Sequence, residues 1–459
     1  MSKPNIIICE LLVESYEKVR FRRSDTGQVT GILNLARFSR QIMRFENLLR
    51  ANQLKSRQDF AKLGTLLYRC LFNGAVENSF KQIIKEIEDS KNNKNPKIFR
   101  IQLTFSEEVS DLAGIPWEFI YYPDSETVEG FFLIDYSNLV ISRYLPLEKE
   151  IHSMRNEEDL LRFLIVISEP AGLGEILKDS VIEKIQDLQN YYPGISLDIL
   201  EKHSRRQIQE KIAIRKPHIF HYIGHGRFNW QDQKGEIALL NSDLQTPIWI
   251  SDDTFADYFK DFKPSLVVLQ ACQGGEGDFT ANYAGLAPKL ARKGIPAVIA
   301  MQYPVTNKIA NVFSLAFYQA LAKGESVDTA VQQGRREIVY DSDEYYDNRD
   351  FGNPVLYMSA RDGYIIPRLK TKIFDAEDLR NSPSELEKAM NTLFNSEELA
   401  NLEQFDDLVF SLRMSYEELP GETPQEKIKA LIAYLQKNGD IGSLINAIKH
   451  LKPESFKDK

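Results

Sequence analysis

The chain has 459 residues, of which 43% are hydrophobic and 27% charged, a composition that excludes a disordered protein and fits roughly two to four domains. Its 66 acidic residues outnumber 57 basic ones, for a net charge of −9, which argues against a general nucleic-acid binder because phosphate contacts need a basic surface. Three scattered cysteines with no CxxC pair, and six histidines with no HExxH, exclude a disulfide framework and the common zinc motifs, so no metal and no cofactor is expected.

In chain order, the first segment is strand-rich. Ile6-Ile7-Ile8-Cys9 is apolar but runs into Glu10 and Glu14, too early for a signal peptide. A turn is expected at Thr26-Gly27, and residues 35–88 carry a helical pattern broken at Asn73-Gly74. Residues 98–105 alternate, with Phe99, Ile101, Leu103 and Phe105 on one face and Ile98, Arg100, Gln102 and Thr104 on the other, which predicts a half-buried strand. Residues 131–134 and 139–144 predict two more strands.

After the charged stretch 148–159, continuous apolar strands alternate with helices. Strands are expected at 163–167, 195–200, 219–223, 266–269 and 297–301, with a helix over 176–188 and another capped by Ser204. This order predicts a mainly parallel sheet covered on both faces. Thr306 caps an amphipathic helix, a second helix covers 327–339, and residues 355–358 are expected to close the sheet. The polar stretch 368–383 reads as a linker, with Arg368, Lys370, Lys372 and Arg380 as candidate self-cleavage sites. Residues 384–459 read as a compact all-helical module, in which Thr423-Pro424 marks a helix start. No apolar run reaches the about 18 residues of a membrane span, so no membrane contact and a cytoplasmic location are expected.

Two strand ends carry the chemistry. One strand runs into Gly224-His225-Gly226, the other into Gln270-Ala271-Cys272-Gln273-Gly274-Gly275. In a parallel sheet both open on the same edge, where functional groups collect, and the glycines permit sharp turns and close approach. A thiol nucleophile needs a base and N–H groups aimed at the developing oxyanion. Cys272 is the candidate nucleophile and His225 the candidate general base and acid. The N–H groups of Gly226 and Cys272 are the candidate oxyanion hole. Cys9 and Cys70 lack a glycine frame and read as buried thiols, and His221, inside its strand, reads as a packing residue. No GxGxxG or GxxxxGK[ST] supports a nucleotide-binding reading.

Gln270-Ala271-Cys272-Gln273-Gly274 is similar to the nucleophile signature of caspases, and His225 lies 47 residues upstream of Cys272, where about 50 is expected. The region from about Asp111 to Ala360 resembles a CHAT domain, a cysteine peptidase of the clan that includes caspases and separases. The resemblance rests on Gly114-Ile115-Pro116-Trp117-Glu118, His221-Tyr222-Ile223-Gly224-His225-Gly226, Leu269-Gln270-Ala271-Cys272, and Gly294-Ile295-Pro296-Ala297-Val298 leading to Met301-Gln302-Tyr303-Pro304-Val305. The family often has Cys-Glu-Thr-Gly after the nucleophile, whereas this chain has Cys272-Gln273-Gly274-Gly275. The resemblance implies a His–Cys dyad with no third member, and an N-terminal portion, 1–150, packed on a caspase-like catalytic domain, 151–367.

The tail resembles the bacterial effector-associated, death-like domains, through Leu412-Arg413-Met414-Ser415-Tyr416-Glu417-Glu418-Leu419-Pro420-Gly421 and Asn438-Gly439-Asp440. That likeness implies recruitment by a partner protein bearing a matching effector-associated domain. The whole is therefore expected to be α/β, with a caspase-like mainly parallel sheet flanked by helices, an N-terminal α+β portion and a C-terminal all-α bundle. Its expected function is a cysteine endopeptidase acting on protein substrates, in bacterial defence or regulated cell death. The alternative is a catalytically inactive CHAT scaffold for protein–protein interaction. Glu276 and Asp278, on the loop after Cys272, are the candidate substrate-binding acids and would favour Arg or Lys before the cut.

Overall fold

The computed structural model describes residues 5–90, 97–123, 130–148, 151, 157–158, 160–173, 176, 178–192, 194–229, 231–232, 234–241, 243, 245–271, 285–303, 305–341, 345–369, 376–394, 399–421 and 423–451. The chain falls into two compact units, one of Met1–Gln186 and Ser196–Arg368, the other of Asp187–Ile195 and Leu369–Lys459.

In chain order, the longer strands are β1 (Asn5–Ser15), β2 (Lys18–Arg23), β3 (Gly27–Ile32), β4 (Lys97–Phe105), β5 (Leu139–Tyr144), β6 (Leu161–Ile167), β7 (Ile195–Leu200), β8 (Ile219–Gly224), β9 (Gly226–Asn229), β10 (Lys234–Leu240), β11 (Pro247–Ser251), β12 (Leu266–Ala271), β13 (Ala297–Met301) and β14 (Pro354–Met358). Among the described residues, an eleven-stranded sheet runs in the order β7-β6-β8-β12-β13-β14-β5-β4-β1-β2-β3, and β9, β10 and β11 form a separate three-stranded sheet. The strands β6, β8, β12 and β13 are mutually parallel. So are β14, β5, β4 and β1. The two sets meet where β13 and β14 pair antiparallel.

This arrangement differs from the expected one at two strands. Residues 355–358, expected to close the sheet, belong to β14, which lies in its interior between β13 and β5. An apolar run reads the same at an edge and in the middle, so the pattern alone does not place it. The second is β4, whose alternation predicts one wet face. From Phe99 to Leu103 it is buried on both faces instead. Arg100 forms an ion pair at 2.8 Å with Asp328 and stacks on the Tyr364 ring, and Gln102 donates to the Arg361 carbonyl at 2.9 Å. The face expected to be wet is instead covered by protein, with Arg100 and Gln102 each 1% exposed.

The helices of this unit are α1 (Leu35–Arg50), α2 (Arg57–Leu71), α3 (Gly74–Asp89), α4 (Asp179–Tyr191), whose end falls in the second unit, α5 (Arg205–Arg215), α6 (Asp252–Ala256), α7 (Leu286–Arg292), α8 (Asn307–Ala322) and α9 (Val327–Tyr340). Their starts follow from local chemistry. Ser56, Ser204 and Thr306 each accept a first-turn N–H, and Ser204 forms a reciprocal box with Gln207. Around the strands that carry the candidate site, Leu164, Phe220, Tyr222, Val267, Leu269 and Val298 pack into one apolar cluster.

The second unit contains α10 (Ala376–Asn381), α11 (Pro383–Leu393), α12 (Leu399–Ser411), α13 (Pro424–Lys437) and α14 (Ile441–Leu451). Leu386, Met390, Phe405, Leu408, Leu431 and Leu444 form its core. Thr423 and Glu426 form a capping box with Pro424 in the first turn, the arrangement such a start favours. The stretch 368–383, expected as a linker, contains α10, and its Leu379 is buried in the bundle core. Among the described residues, no helix is long and apolar enough to cross a membrane.

Candidate active site

The strands β8 and β12 are parallel neighbours, in register from Ile219 opposite Leu266 to Gly224 opposite Ala271. The next residue after Gly224 is His225, and the next after Ala271 is Cys272. Cys272 itself, together with Glu276 and Asp278, lies outside the described residues. Of the expected site, the structure therefore describes His225 and Gly226. The register also sets Leu269 opposite Ala300 in β13, so Gln302 stands level with Ala271. Three consecutive strands end at one height on one edge.

His225 is the residue at which the chain leaves the large sheet for the small one. It is buried, and β9 begins at the following Gly226. Its carbonyl accepts the Ala238 N–H at 2.9 Å. The buried Tyr222 hydroxyl lies 2.6 Å from the Ala238 carbonyl oxygen and 3.2 Å from that of His225. It shares its one proton between them, tying the end of β8 to β10. The same phenol lies against Gly224, where a Cβ would collide with it. Glycine is required there by close approach.

Gly226 pairs with Ile237 in the β9–β10 ladder. Bonded and non-bonded pairs alternate along an antiparallel ladder. Because Ala238 bonds to His225, Gly226 and Ile237 form a non-bonded pair, and the Gly226 N–H points away from β10. The ladder thus leaves the expected oxyanion donor unused. The three-stranded sheet is not among the expected elements. Its signal was the apolar run Ile237-Ala238-Leu239-Leu240 followed by Ile248 and Ile250.

The other histidine of the motif has a different setting. His221 is buried within β8, its Nδ1 2.9 Å from the Tyr318 hydroxyl of α8. Burial pushes its imidazole down to about 4, with Gln270 of the neighbouring strand opposing the shift. Cys9 and Cys70 are buried free thiols, each pushed up to about 12 chiefly by burial. At that value neither supplies thiolate near neutrality.

The segment after β13 is held by residues that carry no expected role in the site. Glu118, from Gly114-Ile115-Pro116-Trp117-Glu118, accepts from Arg143 Nε at 2.9 Å and Nη2 at 2.6 Å, and from Gln302 Nε2 at 3.1 Å. Arg143 also donates to the Ala113 and Ile115 carbonyls. Asn353 clasps Tyr303 from both sides, accepting its N–H at 2.7 Å and donating to its carbonyl at 3.0 Å. Beside this lattice is a cavity of about 170 Å³ lined by Glu46, Arg50, Arg143, Gln302, Tyr303 and Tyr357. Burial raises the Glu46 carboxyl above its ordinary range, with Arg50 opposing.

The CHAT domain family model matches residues 61–390, and the model of effector-associated domain 7 matches residues 386–453. No curated protein matches the chain. Among solved structures, the Saccharomyces cerevisiae separase–securin complex is similar with a TM-score of 0.41 and 12% identity, covering 80% of this chain and 30% of that chain. A second crystal structure of that complex has the same score and identity and covers 77% of this chain. Caspase-1 from Spodoptera frugiperda has a TM-score of 0.33 and 12% identity, covering 50% of this chain and 98% of that chain. The chain spans about 30% of the length of the separase chain to which it is similar.

Proposed function

The chain belongs to the CHAT domain family, and from that premise we propose that it is a caspase-like cysteine endopeptidase working through Cys272 and His225. The observation that carries this reading is the register of Gly224 opposite Ala271, which makes the histidine and the cysteine the successors of one paired strand end. His225 takes the Cys272 proton as the sulfur attacks the scissile carbonyl and forms a C–S bond. The N–H groups of Gly226 and Cys272 receive the oxyanion. Collapse breaks the C–N bond, and His225 returns the proton to the leaving amine. Water then attacks the thioester and gives its proton to His225. The C–S bond breaks, the acid leaves, and the thiol is restored.

Glu276 and Asp278 are the proposed acids that favour Arg or Lys before the cut. The cytoplasm fits this chemistry, since a reducing compartment keeps the thiol free. The tail, which matches effector-associated domain 7 over residues 386–453, recruits the enzyme to a partner carrying a matching domain. The setting proposed is bacterial defence or regulated cell death.

Labelling with a peptide bearing a thiol-reactive ketone tests the dyad. The wild-type protein is labelled, Cys272→Ala is not, and His225→Ala is labelled far more slowly while both variants stay folded. Equal labelling of Cys272→Ala overturns the proposal and leaves the inactive scaffold.

A further inference from the structure

We propose that the groove between α1 and α2 docks an acidic amphipathic helix of a partner protein. The inference is independent of the chemistry at Cys272. It begins with a charge reversal. Residues 35–71 hold eight Lys or Arg and only Glu46 and Asp59 as acids, in a chain whose net charge is −9. The acidic balance of the whole conceals one strongly basic helical pair.

Four of the eight, Arg44, Arg57, Lys62 and Arg69, line one cleft. A groove of about 1130 Å³ is lined from α1 by Gln41, Arg44, Phe45 and Leu48, and from α2 by residues that include Gln58, Lys62, Thr65 and Arg69. Each set follows helical spacing, so each helix gives the groove one continuous face. Arg44, Lys62 and Arg69 are exposed, whereas Phe45, Leu48 and Leu66 are half-buried between them and Leu54 is buried. Asp59 is the acid of the lining, and it is already engaged by the Ser56 hydroxyl at 2.8 Å and Lys62 at 3.4 Å. Arg57 adds a further cation, donating to the Gly130 carbonyl at 3.0 Å and lying over the Tyr121 ring.

This pairing of an apolar floor with cationic rims selects the occupant. From Gln58 to Arg69 the wall is about 16 Å long, roughly three turns of helix. A helix with one apolar stripe would cover Phe45, Leu48 and Leu66, and acids flanking that stripe would meet Arg44, Lys62 and Arg69. A phosphate backbone would meet the cations but leave the apolar floor uncovered. The acidic remainder of the chain repels such a helix elsewhere, which steers it to this patch.

The test uses the full chain and a fluorescein-labelled helical peptide of about 18 residues, long enough to hold helix in water, with Leu on one stripe and Glu on the flanks. Fluorescence anisotropy should show it binding at least about tenfold more tightly than the same peptide with Lys for Glu, and weakening as salt rises. The double variant Arg44→Glu/Arg69→Glu should lose about tenfold or more in affinity, and Leu48→Asp should weaken binding as well. Lys293→Glu, exposed and outside the groove, should leave it unchanged. Equal binding of the two peptides, or full binding by the double variant, overturns the proposal. So does tighter binding of a labelled single-stranded DNA than of the acidic peptide, which would make the groove a phosphate site.

Discussion

Arg143 and Glu118 meet as a bidentate pair inside the first unit, with both of the Glu118 carboxylate oxygens accepting from the one guanidinium. Both side chains are buried, 5% and 3% exposed. Removing one member of such a pair leaves an uncompensated buried charge, which costs far more than the pair contributes. The same carboxylate holds Gln302, beside the proposed catalytic edge.

Glu118→Ala is therefore expected to destabilise the protein by about 3–5 kcal/mol in urea titrations. Glu118→Gln should cost less, because it keeps an acceptor for the guanidinium. A loss under about 0.5 kcal/mol, the scale of an exposed ion pair, would refute this account.

Gly224 and Tyr222 form a second test of close packing. Gly224→Ala puts a methyl group against the buried phenol and is expected to destabilise by about 1–3 kcal/mol. In a Tyr222→Ala background the same substitution should cost much less, so a double-mutant cycle should return a clear coupling energy. Strict additivity would mean that the phenol is not what excludes the side chain.

His221 makes a prediction in pH. Its folded imidazole is held down to about 4, from an ordinary value of 6.5, by burial above all. The folded state keeps it neutral, while the unfolded chain takes up a proton near 6.5. Its stabilising contribution is thus whole above that value and is lost as pH falls through about 4. Relative to His221→Asn, the wild-type advantage should shrink by on the order of 3 kcal/mol between those limits, by chemical denaturation at each pH. A difference that stays constant with pH would count against the burial of a neutral imidazole.

In the helical unit, Leu431→Ala opens a cavity at a fully buried position of α13. A cost of about 2–5 kcal/mol is expected, a large fraction of what so small a core supplies. Amide exchange should accelerate throughout α11 to α14 while β8 and β12 keep their protection. Unchanged exchange in the bundle would show that its core does not depend on this residue.

The parts of the molecule legible in the sequence were those written in local chemistry. Ser204 and Thr306 signal helix starts because a hydroxyl satisfies a first-turn N–H. The buried strands β6, β12 and β13 announce themselves as apolar runs, and the glycines around His225 mark a sharp departure from a strand. What stayed hidden depends on partners distant in sequence. Nothing near Arg100 reveals that Asp328 will neutralise it, and nothing near Arg143 points to Glu118. The Gly114-Ile115-Pro116-Trp117-Glu118 motif was visible, but its role in bracing Gln302 belongs to three-dimensional pairing. The burial of β4 was missed for the same reason, since alternation records polarity and not the element that covers it.

The interior position of β14 has a consequence for how the molecule is made. Residues 354–358 are the last strand of the large sheet to leave the ribosome, yet they sit between β13 and β5. Until they arrive, the strands of residues 5–144 and those of residues 161–301 are two half-sheets, each with an open hydrogen-bonding edge. Such edges recruit foreign strands, and contacts such as Arg143 with Tyr357, 214 residues apart, form slowly because long loops must close first. Closure of the large sheet thus waits for five residues, and a truncation just before them would leave both halves as templates for aggregation.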